Sequence, residues 1–251
     1  MHKGMIVRVT RITKPRSVII LLGLLAALAG SAGAEQKPRA DAANLRVPGS
    51  TVSVDSILDA LDAREKSIKD ISLRFEQKTS LKETGDAQTT SGRIRILRSP
   101  ERFVVTFDSP AESTAAYDGK QLLLYFPDTG QAFSQKASLD DIGKLVGISP
   151  VSPIKQLGDR FKASLGGCSK STCVLNFAEV GSEAVRWRIL VDSKEWLVRG
   201  AVLENDEILI ELNWFDFKVN QGLKASDFRI KLPENVVIEE GGPMFPFSGG
   251  M

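Results

Sequence analysis

Apolar and polar residues alternate with a period of two through most of this sequence, and this pattern limits the folds open to it. Ile71, Leu73 and Phe75 alternate with polar neighbours, as expected of a strand with one buried face. Similar segments follow, separated by turn sequences such as Asp118-Gly119 and 128–130. Such turns favour hairpins, so the pattern predicts an antiparallel sheet.

The alternating segments predict a sheet of about 11 strands. These strands are expected at 71–78, 93–97, 103–107, 114–117, 121–126, 131–135, 161–165, 173–177, 184–191, 195–203 and 207–217. A last extended piece is expected over 227–232. So many strands cannot stay flat because their twist accumulates, and we expect the sheet to curl.

Helical signals occur before the first strand and again near the middle of the chain. Ser53 is a suitable N-cap, and the apolar residues at 54, 57, 58 and 61 then recur at helical spacing. Leu139–Val146 has one apolar face, and Ser152-Pro153 is typical of the start of a short helix. The sequence therefore predicts an α+β fold in which helices cover one face of an antiparallel sheet.

The first 34 residues have the three parts of a secretory signal peptide. Five basic residues come first, an apolar run covers Val18–Ala29, and Ala32-Gly33-Ala34 provides small residues for cleavage after Ala34. The alternative is an uncleaved anchor, but the apolar run is shorter than the roughly 20 residues that span a bilayer. No cysteine near the cleavage point can accept a lipid, so we expect a protein that is free in the periplasm.

Domain boundaries follow from these patterns. We expect a signal peptide over 1–34, a flexible leader over 35–52, one folded domain over 53–240 and a disordered tail over 241–251. The whole chain has 33 basic and 31 acidic residues, but the signal contains five of the basic ones, which leaves a net charge of −3. Nothing in this balance favours nucleic-acid binding, which needs a concentrated basic face.

The sequence lacks the residues that most catalytic mechanisms need. His2 is the only histidine and lies within the signal, which removes histidine-dependent triads and the usual transition-metal sites from the exported chain. A hydrolase that uses carboxylates alone is the remaining enzymatic alternative. However, adjacent acids such as Asp140-Asp141 and Glu239-Glu240 are more typical of a solvated surface. We expect no cofactor, and a carrier or receptor fits better than an enzyme.

Cys168 and Cys173 are the only two cysteines, and four residues separate them. In an oxidising compartment a close pair most simply forms a disulfide. Free thiols are the alternative. A zinc site would need more ligands, and a redox motif would have two intervening residues.

Several short motifs, in their order and spacing, resemble those of the LolA family of periplasmic outer-membrane lipoprotein carriers. The resemblance covers about 54–238. It rests on the motifs Phe75-Glu76-Gln77-Lys78, the segment from Gly92 to Pro100 followed by Arg102-Phe103, Tyr117-Asp118-Gly119-Lys120, Leu124-Tyr125-Phe126-Pro127, and Asp227-Phe228 followed by Pro233 and Val236-Val237.

This resemblance implies an incomplete antiparallel β-barrel that is lidded by helices and encloses a hydrophobic cavity. Such a cavity takes the acyl chains of lipoproteins released by an inner-membrane LolCDE-type ABC transporter. The cargo then passes to an outer-membrane LolB-like acceptor or to the membrane itself. We expect a monomer.

The cavity residues that we predict come from the strands and from the lid. The strand candidates are Phe75, Ile94, Ile96, Phe103, Val105, Leu122 and Leu124. The lid candidates are Leu139, Ile142, Leu145, Val146, Ile154 and Leu157. An ordinary core position is the alternative for each of them.

Arg98 matches the family's arginine that hydrogen-bonds the lid and holds it closed, although Ser99 stands between it and Pro100. The alternative is a surface arginine at a strand end. Two further functions stay open at this point. One is transport of another lipid or a glycolipid, and the other is a sensor domain for envelope stress.

Overall fold

The computed structural model describes residues 52–137, 161–181 and 186–241 of the chain. The expected signal peptide, nearly all of the leader, the tail beyond Gly241 and the expected lid helices lie outside these residues.

Helix α1 spans Val54–Ser67. Ser53 caps it, because its hydroxyl accepts the Ser56 N–H at 3.1 Å while the Ser56 hydroxyl accepts the Ser53 N–H at 3.1 Å. No helix in the described ranges has the length and apolar character needed to cross a membrane.

The described part of the chain contains 12 strands, close to the number expected. They are β1 (Asp70–Leu81), β2 (Ala87–Arg98), β3 (Glu101–Ser109), β4 (Ser113–Tyr117), β5 (Gln121–Phe126), β6 (Gln131–Lys136), β7 (Phe161–Cys168), β8 (Thr172–Glu179), β9 (Arg186–Asp192), β10 (Leu197–Glu204), β11 (Ile208–Val219) and β12 (Ile238–Glu240).

All the strands belong to one sheet, in the order β12-β6-β5-β4-β3-β2-β1-β11-β10-β9-β8-β7. Every neighbouring pair is antiparallel except β12 and β6, which are parallel. Strand β1 lies near the middle, between β2 and β11. The sheet is open, because β12 and β7 form its two edges. The predicted curled antiparallel sheet of an α+β fold is thereby confirmed.

The two faces of the sheet bury different sets of residues. Helix α1 packs on the face that we call the inner face, where Ile57 joins residues from both halves of the sheet, including Phe75, Phe107 and Leu175, in one buried cluster. Contacts between such distant strands require the sheet to curl around this face. The opposite face, the outer face, buries a smaller cluster around Phe228.

The segment that follows β11 crosses the outer face. It begins at Asn220, forms a short 3-10 turn at Ala225–Phe228, and ends in β12 at the far edge of the sheet. The expectation of an extended piece over 227–232 is wrong at residues 227 and 228, because the Asp227 carboxylate accepts the Lys224 N–H at 2.7 Å and closes the turn, while Arg229 is extended. This turn directs Phe228 onto the outer face.

The junction between α1 and β1 anchors the start of this crossing segment. Asp70 is only 3% exposed, and its carboxylate accepts the N–H groups of Gln221 at 2.8 Å and Gly222 at 3.0 Å. The Asn220 side chain accepts the Lys69 N–H at 2.7 Å and donates to the Ser67 carbonyl at 3.0 Å. These bonds satisfy backbone groups that would otherwise be unpaired at the end of the helix.

Gly92 lies in β2 between β1 and β3, at an inner-face position. It lies directly opposite Phe75 in β1 and Phe107 in β3. The rings of these two phenylalanines meet edge to face with centroids 5.7 Å apart. A Cβ at Gly92 would come within 2.8 Å of the Phe75 ring and would overlap the carbonyl oxygen of Thr106. Only glycine fits this position.

The predicted disulfide between Cys168 and Cys173 is present. The two residues face each other in β7 and β8, and both side chains belong to the cluster that α1 joins. The bond therefore fastens the hairpin at one edge of the sheet close to the helix.

We predict that Gly92→Ala lowers the free energy of unfolding by about 3 kcal/mol, because a methyl group must displace either a ring or the β3 backbone. Urea denaturation of the two proteins measures this difference. Ser91→Ala is the matched control, since its side chain faces the other way, and it should change stability by less than about 1 kcal/mol. Equal stability of the Gly92→Ala variant and the wild type would contradict the close approach.

We also predict that the double variant Cys168→Ala/Cys173→Ala has a free energy of unfolding about 2 kcal/mol below that of the wild type. The disulfide restricts the conformational entropy of the unfolded chain, and its removal restores that entropy. Thermal unfolding with and without a reducing agent measures this effect. The reducing agent should not alter the double variant. Alkylation of both cysteines in native, unreduced protein would show that the bond is absent in solution.

Candidate functional site: the apolar inner face

The seven strand residues predicted for the cavity wall share one face of the sheet. Paired residues on neighbouring antiparallel strands point to the same face. One such row is Leu73, Ile94, Val105, Ala115 and Leu124, and the next is Ile71, Ile96, Phe103, Tyr117 and Leu122. Phe75 lies on the same face one row further along β1. All of them are on the inner face, while their role in binding remains a prediction.

Exposure divides these seven residues into two groups. Phe75, Leu122 and Leu124 are buried. Four others keep part of their apolar surface open, namely Ile94, Ile96, Phe103 and Val105. These four form two cross-strand pairs on β2 and β3. Half-buried apolar side chains of this kind are typical of a surface that binds an apolar ligand, and these four residues are the candidate site.

Aromatic residues extend the inner face beyond the predicted set. Phe103 stacks on Tyr117 with ring centroids 5.6 Å apart, and Phe126 meets Phe133 at 6.1 Å. Tyr117, Phe126 and Phe133 were not among the predicted wall residues. Each occupies an alternate position of its own strand, but only the cross-strand pairing shows that they face the same side as Leu122.

The six predicted lid residues are not among those that the structure describes. Leu139, Ile142, Leu145, Val146, Ile154 and Leu157 all lie outside the described residues. Among the described residues, it is α1 that covers the inner face, through Ile57 and Leu61.

Arg98 joins the end of β2 to α1. Its guanidinium Nη2 donates to Oε1 of Glu65 at 2.9 Å, and its backbone N–H donates to the Lys69 carbonyl at 2.9 Å. The Glu65 side chain is 15% exposed and that of Arg98 is 33% exposed. Sequence alone assigned Arg98 to the lid, whereas Glu65 belongs to the first helix. A contact with the expected lid remains a prediction.

The charge of Glu65 depends on this pairing. Burial raises the pKa of Glu65 above its ordinary value, and the hydrogen bond and positive charge of Arg98 act in the opposite direction. Without the guanidinium, an ionised carboxylate would remain in a largely desolvated position.

The described residues offer no sign of a metal site. No group of three or more His, Cys, Asp or Glu side chains within 52–137, 161–181 and 186–241 is arranged to hold an ion. The rows of β1 to β5 that hold the predicted wall residues present mainly apolar side chains on the inner face.

We predict that Arg98→Met destabilises the protein more at pH 7.5 than at pH 4. The pKa of the Glu65 carboxyl is higher in the folded protein than in the unfolded chain, so its protonated form favours the folded state. This stabilisation is complete below the ordinary glutamate pKa and is lost as the pH rises through the pKa that Glu65 has in the folded protein. Removing Arg98 raises this pKa further. The added loss at pH 7.5 should be about 1 kcal/mol, since the pair is partly exposed.

Urea denaturation at the two pH values measures this effect. Arg93→Met on the same strand is the control, because Arg93 pairs with Asp108 on the surface with 63% of its side chain exposed. Its effect should be under about 0.5 kcal/mol at either pH. An equal loss at both pH values in Arg98→Met would mean that Arg98 does not support the ionised form of Glu65.

Comparison with known proteins gives consistent results. The family model described as "Outer membrane lipoprotein carrier protein LolA" matches residues 66–231. An outer-membrane lipoprotein carrier protein of Shewanella baltica (strain OS155 / ATCC BAA-1091) is 26% identical over 190 residues, which cover 72% of this chain and 86% of that protein. The corresponding protein of Shewanella sp. (strain W3-18-1) is 25% identical over 185 residues, with coverage of 72% and 86%.

A solved structure supports the fold. The crystal structure of an uncharacterized conserved protein from Thermus thermophilus superposes with a TM-score of 0.51 at 12% identity, covering 74% of this chain and 98% of that one. The family match extends over more than half of the 251 residues. The resemblance found in the sequence is therefore confirmed, and the chain belongs to the LolA family of outer membrane lipoprotein carrier proteins.

Proposed function

We propose that this protein is a periplasmic chaperone that carries lipoproteins from the inner to the outer membrane and shields their acyl chains on its inner face. The observation that carries the proposal is the apolar patch of Ile94, Ile96, Phe103 and Val105, which is continuous across β2 and β3 and still partly open. Relatives named as outer-membrane lipoprotein carriers support it.

The physical need for such a surface is large. Each CH₂ group of an acyl chain that is exposed to water costs about 0.8 kcal/mol, so a lipoprotein cannot cross an aqueous compartment without cover. An apolar face supplies this cover without directional bonds. It also allows release, because the affinity is set by area and not by specific charges.

The partners follow from this role. A LolCDE-type ABC transporter of the inner membrane would load the protein, and a LolB-like acceptor or the outer membrane itself would receive the cargo. LolA-family proteins are periplasmic carriers and not enzymes. The signal peptide expected over 1–34, with cleavage after Ala34, would place this chain in the same compartment. We propose that it acts as a monomer and that no covalent bond changes during transport.

The experiment is to isolate the exported protein from an envelope extract and to identify bound material by mass spectrometry. We predict that the wild type carries triacylated lipoproteins. Ile94→Gln should carry about tenfold less, because its amide would be buried against acyl chains. Arg93→Gln is the matched control, since Arg93 directly precedes Ile94 in β2 and faces the outer side. It should carry as much as the wild type.

Thermal unfolding of all three proteins shows whether the variants are folded. Free lipid alone in the wild type would replace the proposal with transport of another lipid or a glycolipid. A bound regulatory protein without lipid would replace it with an envelope-stress sensor. Equal loading of Ile94→Gln and Arg93→Gln would show that the inner face does not hold the cargo.

A further inference from the structure

Three polar residues are buried on the inner face. Gln77 is 4% exposed, and Thr90 and Ser113 are each 6% exposed. Gln77 and Thr90 lie directly opposite each other on β1 and β2. Ser113 on β4 lies opposite Phe107, in the row of Phe75 and Gly92. All three are therefore at one end of the face, beyond the rows of Ile94 and Ile96.

These residues have hydrogen-bonding capacity that the described part of the chain does not use. Gln77 Nε2 donates to the Thr79 hydroxyl at 3.1 Å. Within the described part of the chain, this is the only hydrogen bond of the Gln77 side chain, and the hydroxyls of Thr90 and Ser113 form none. None of their oxygen atoms is fully enclosed by protein. Some of their surface is therefore open to solvent, and the strand register places these side chains on the inner face.

Such an arrangement is unusual for a surface that serves only to cover hydrocarbon. Because these oxygen atoms are not fully enclosed, water can bond to them in the empty protein, and a ligand that displaces this water must supply hydrogen-bonding atoms of its own. Valine or methionine at these positions would make no such demand on the ligand. The unused donors and acceptors therefore point to polar atoms that belong to the ligand.

The surroundings indicate which polar atoms these are. The inner-face positions of β1 and β2 carry no charged side chain: they are Ile71, Leu73, Phe75, Gln77, Thr79, Gln88, Thr90, Gly92, Ile94 and Ile96. A phosphate or another ion would need a countercharge there. A neutral carbonyl needs only a donor, which a carboxamide or a hydroxyl supplies.

We propose that Gln77 and Thr90, with Thr79 beside them, form a polar subsite for the acyl-linkage carbonyls at the head of the cargo lipid. This inference rests on the proposed function and adds an orientation to it. The carbonyls of the ester or amide bonds lie against Gln77 and Thr90. The hydrocarbon then extends over the rows of Ile94 and Ile96 towards the start of β1.

The test compares two synthetic lipopeptides that differ only in this linkage. One is a tripalmitoyl-cysteinyl peptide, and the other has ether bonds in place of its two ester bonds. Dissociation constants are measured by displacement of a fluorescent fatty-acid probe. The wild type should bind the ester form about tenfold more tightly than the ether form, as expected for one to two hydrogen bonds to neutral carbonyls.

The variants Gln77→Met and Thr90→Val keep the side-chain size and remove the polar atoms. Each should reduce the ester-to-ether ratio towards one and leave the ether affinity unchanged. Thr89→Val is the matched control, because Thr89 is the adjacent residue, is exposed and faces the outer side. It should retain the ratio of the wild type. Unfolding midpoints close to that of the wild type show that the variants are folded.

The possible results separate the subsite from the proposed function. If the wild type binds both lipopeptides equally, or if Gln77→Met and Thr90→Val keep its ratio, the subsite is wrong and the carrier function stands. Dipalmitoyl phosphatidylglycerol and its ether analogue provide a second ester source. If only this phospholipid pair binds and shows the variant-sensitive ratio, the subsite stands and the lipoprotein cargo is wrong. If no ester ligand binds, both proposals fall.

Discussion

The register of β1 against its two neighbours is the constraint on which the rest of the structure depends. A shift by one residue would turn Leu73 and Phe75 outwards and bring Arg74 and Glu76 against α1, since successive side chains point to opposite faces. Gly92 supports this register sterically, because a side chain at that position would collide with the Phe75 ring and with the β3 backbone. The apolar rows that form the candidate binding surface follow from the same pairing.

The apolar face is joined to a small set of polar contacts at the end of α1. Asp70 and Asn220 hold the helix, the central strand and the segment after β11 in one place. Arg98 adds the end of β2 to this junction through Glu65. These contacts are directional, whereas the packing of Ile57 on the inner face is not, so the polar groups position the helix that the apolar contacts stabilise.

Much of this could be predicted from the sequence, because a period of two identifies both a strand and its buried side. The seven wall candidates in strands therefore share one face, as Ile94 and Val105 illustrate. Which strands are neighbours is a long-range property that no local pattern contains. For this reason Tyr117 and Phe133 were missed, the partner of Arg98 was not foreseen, and the parallel pairing of β12 was not expected. Residues 227 and 228, the second half of the turn at Ala225–Phe228, were predicted as extended chain because the capping contact from Lys224 to Asp227 has no distinctive pattern.

The crossing segment after β11 has a mechanical consequence. It is anchored at Asp70 on one side, presses Phe228 onto Leu97, Val104 and Ala116 of three successive strands, and is tied to the opposite edge by β12. The segment is thus fixed at both ends and packs across the outer face of the curled sheet. Flattening the sheet would stretch the segment and pull Phe228 out of its contacts, so these outer-face contacts help to maintain the curvature. If the inner face carries cargo as proposed, acyl chains of different bulk would meet a surface of nearly constant curvature.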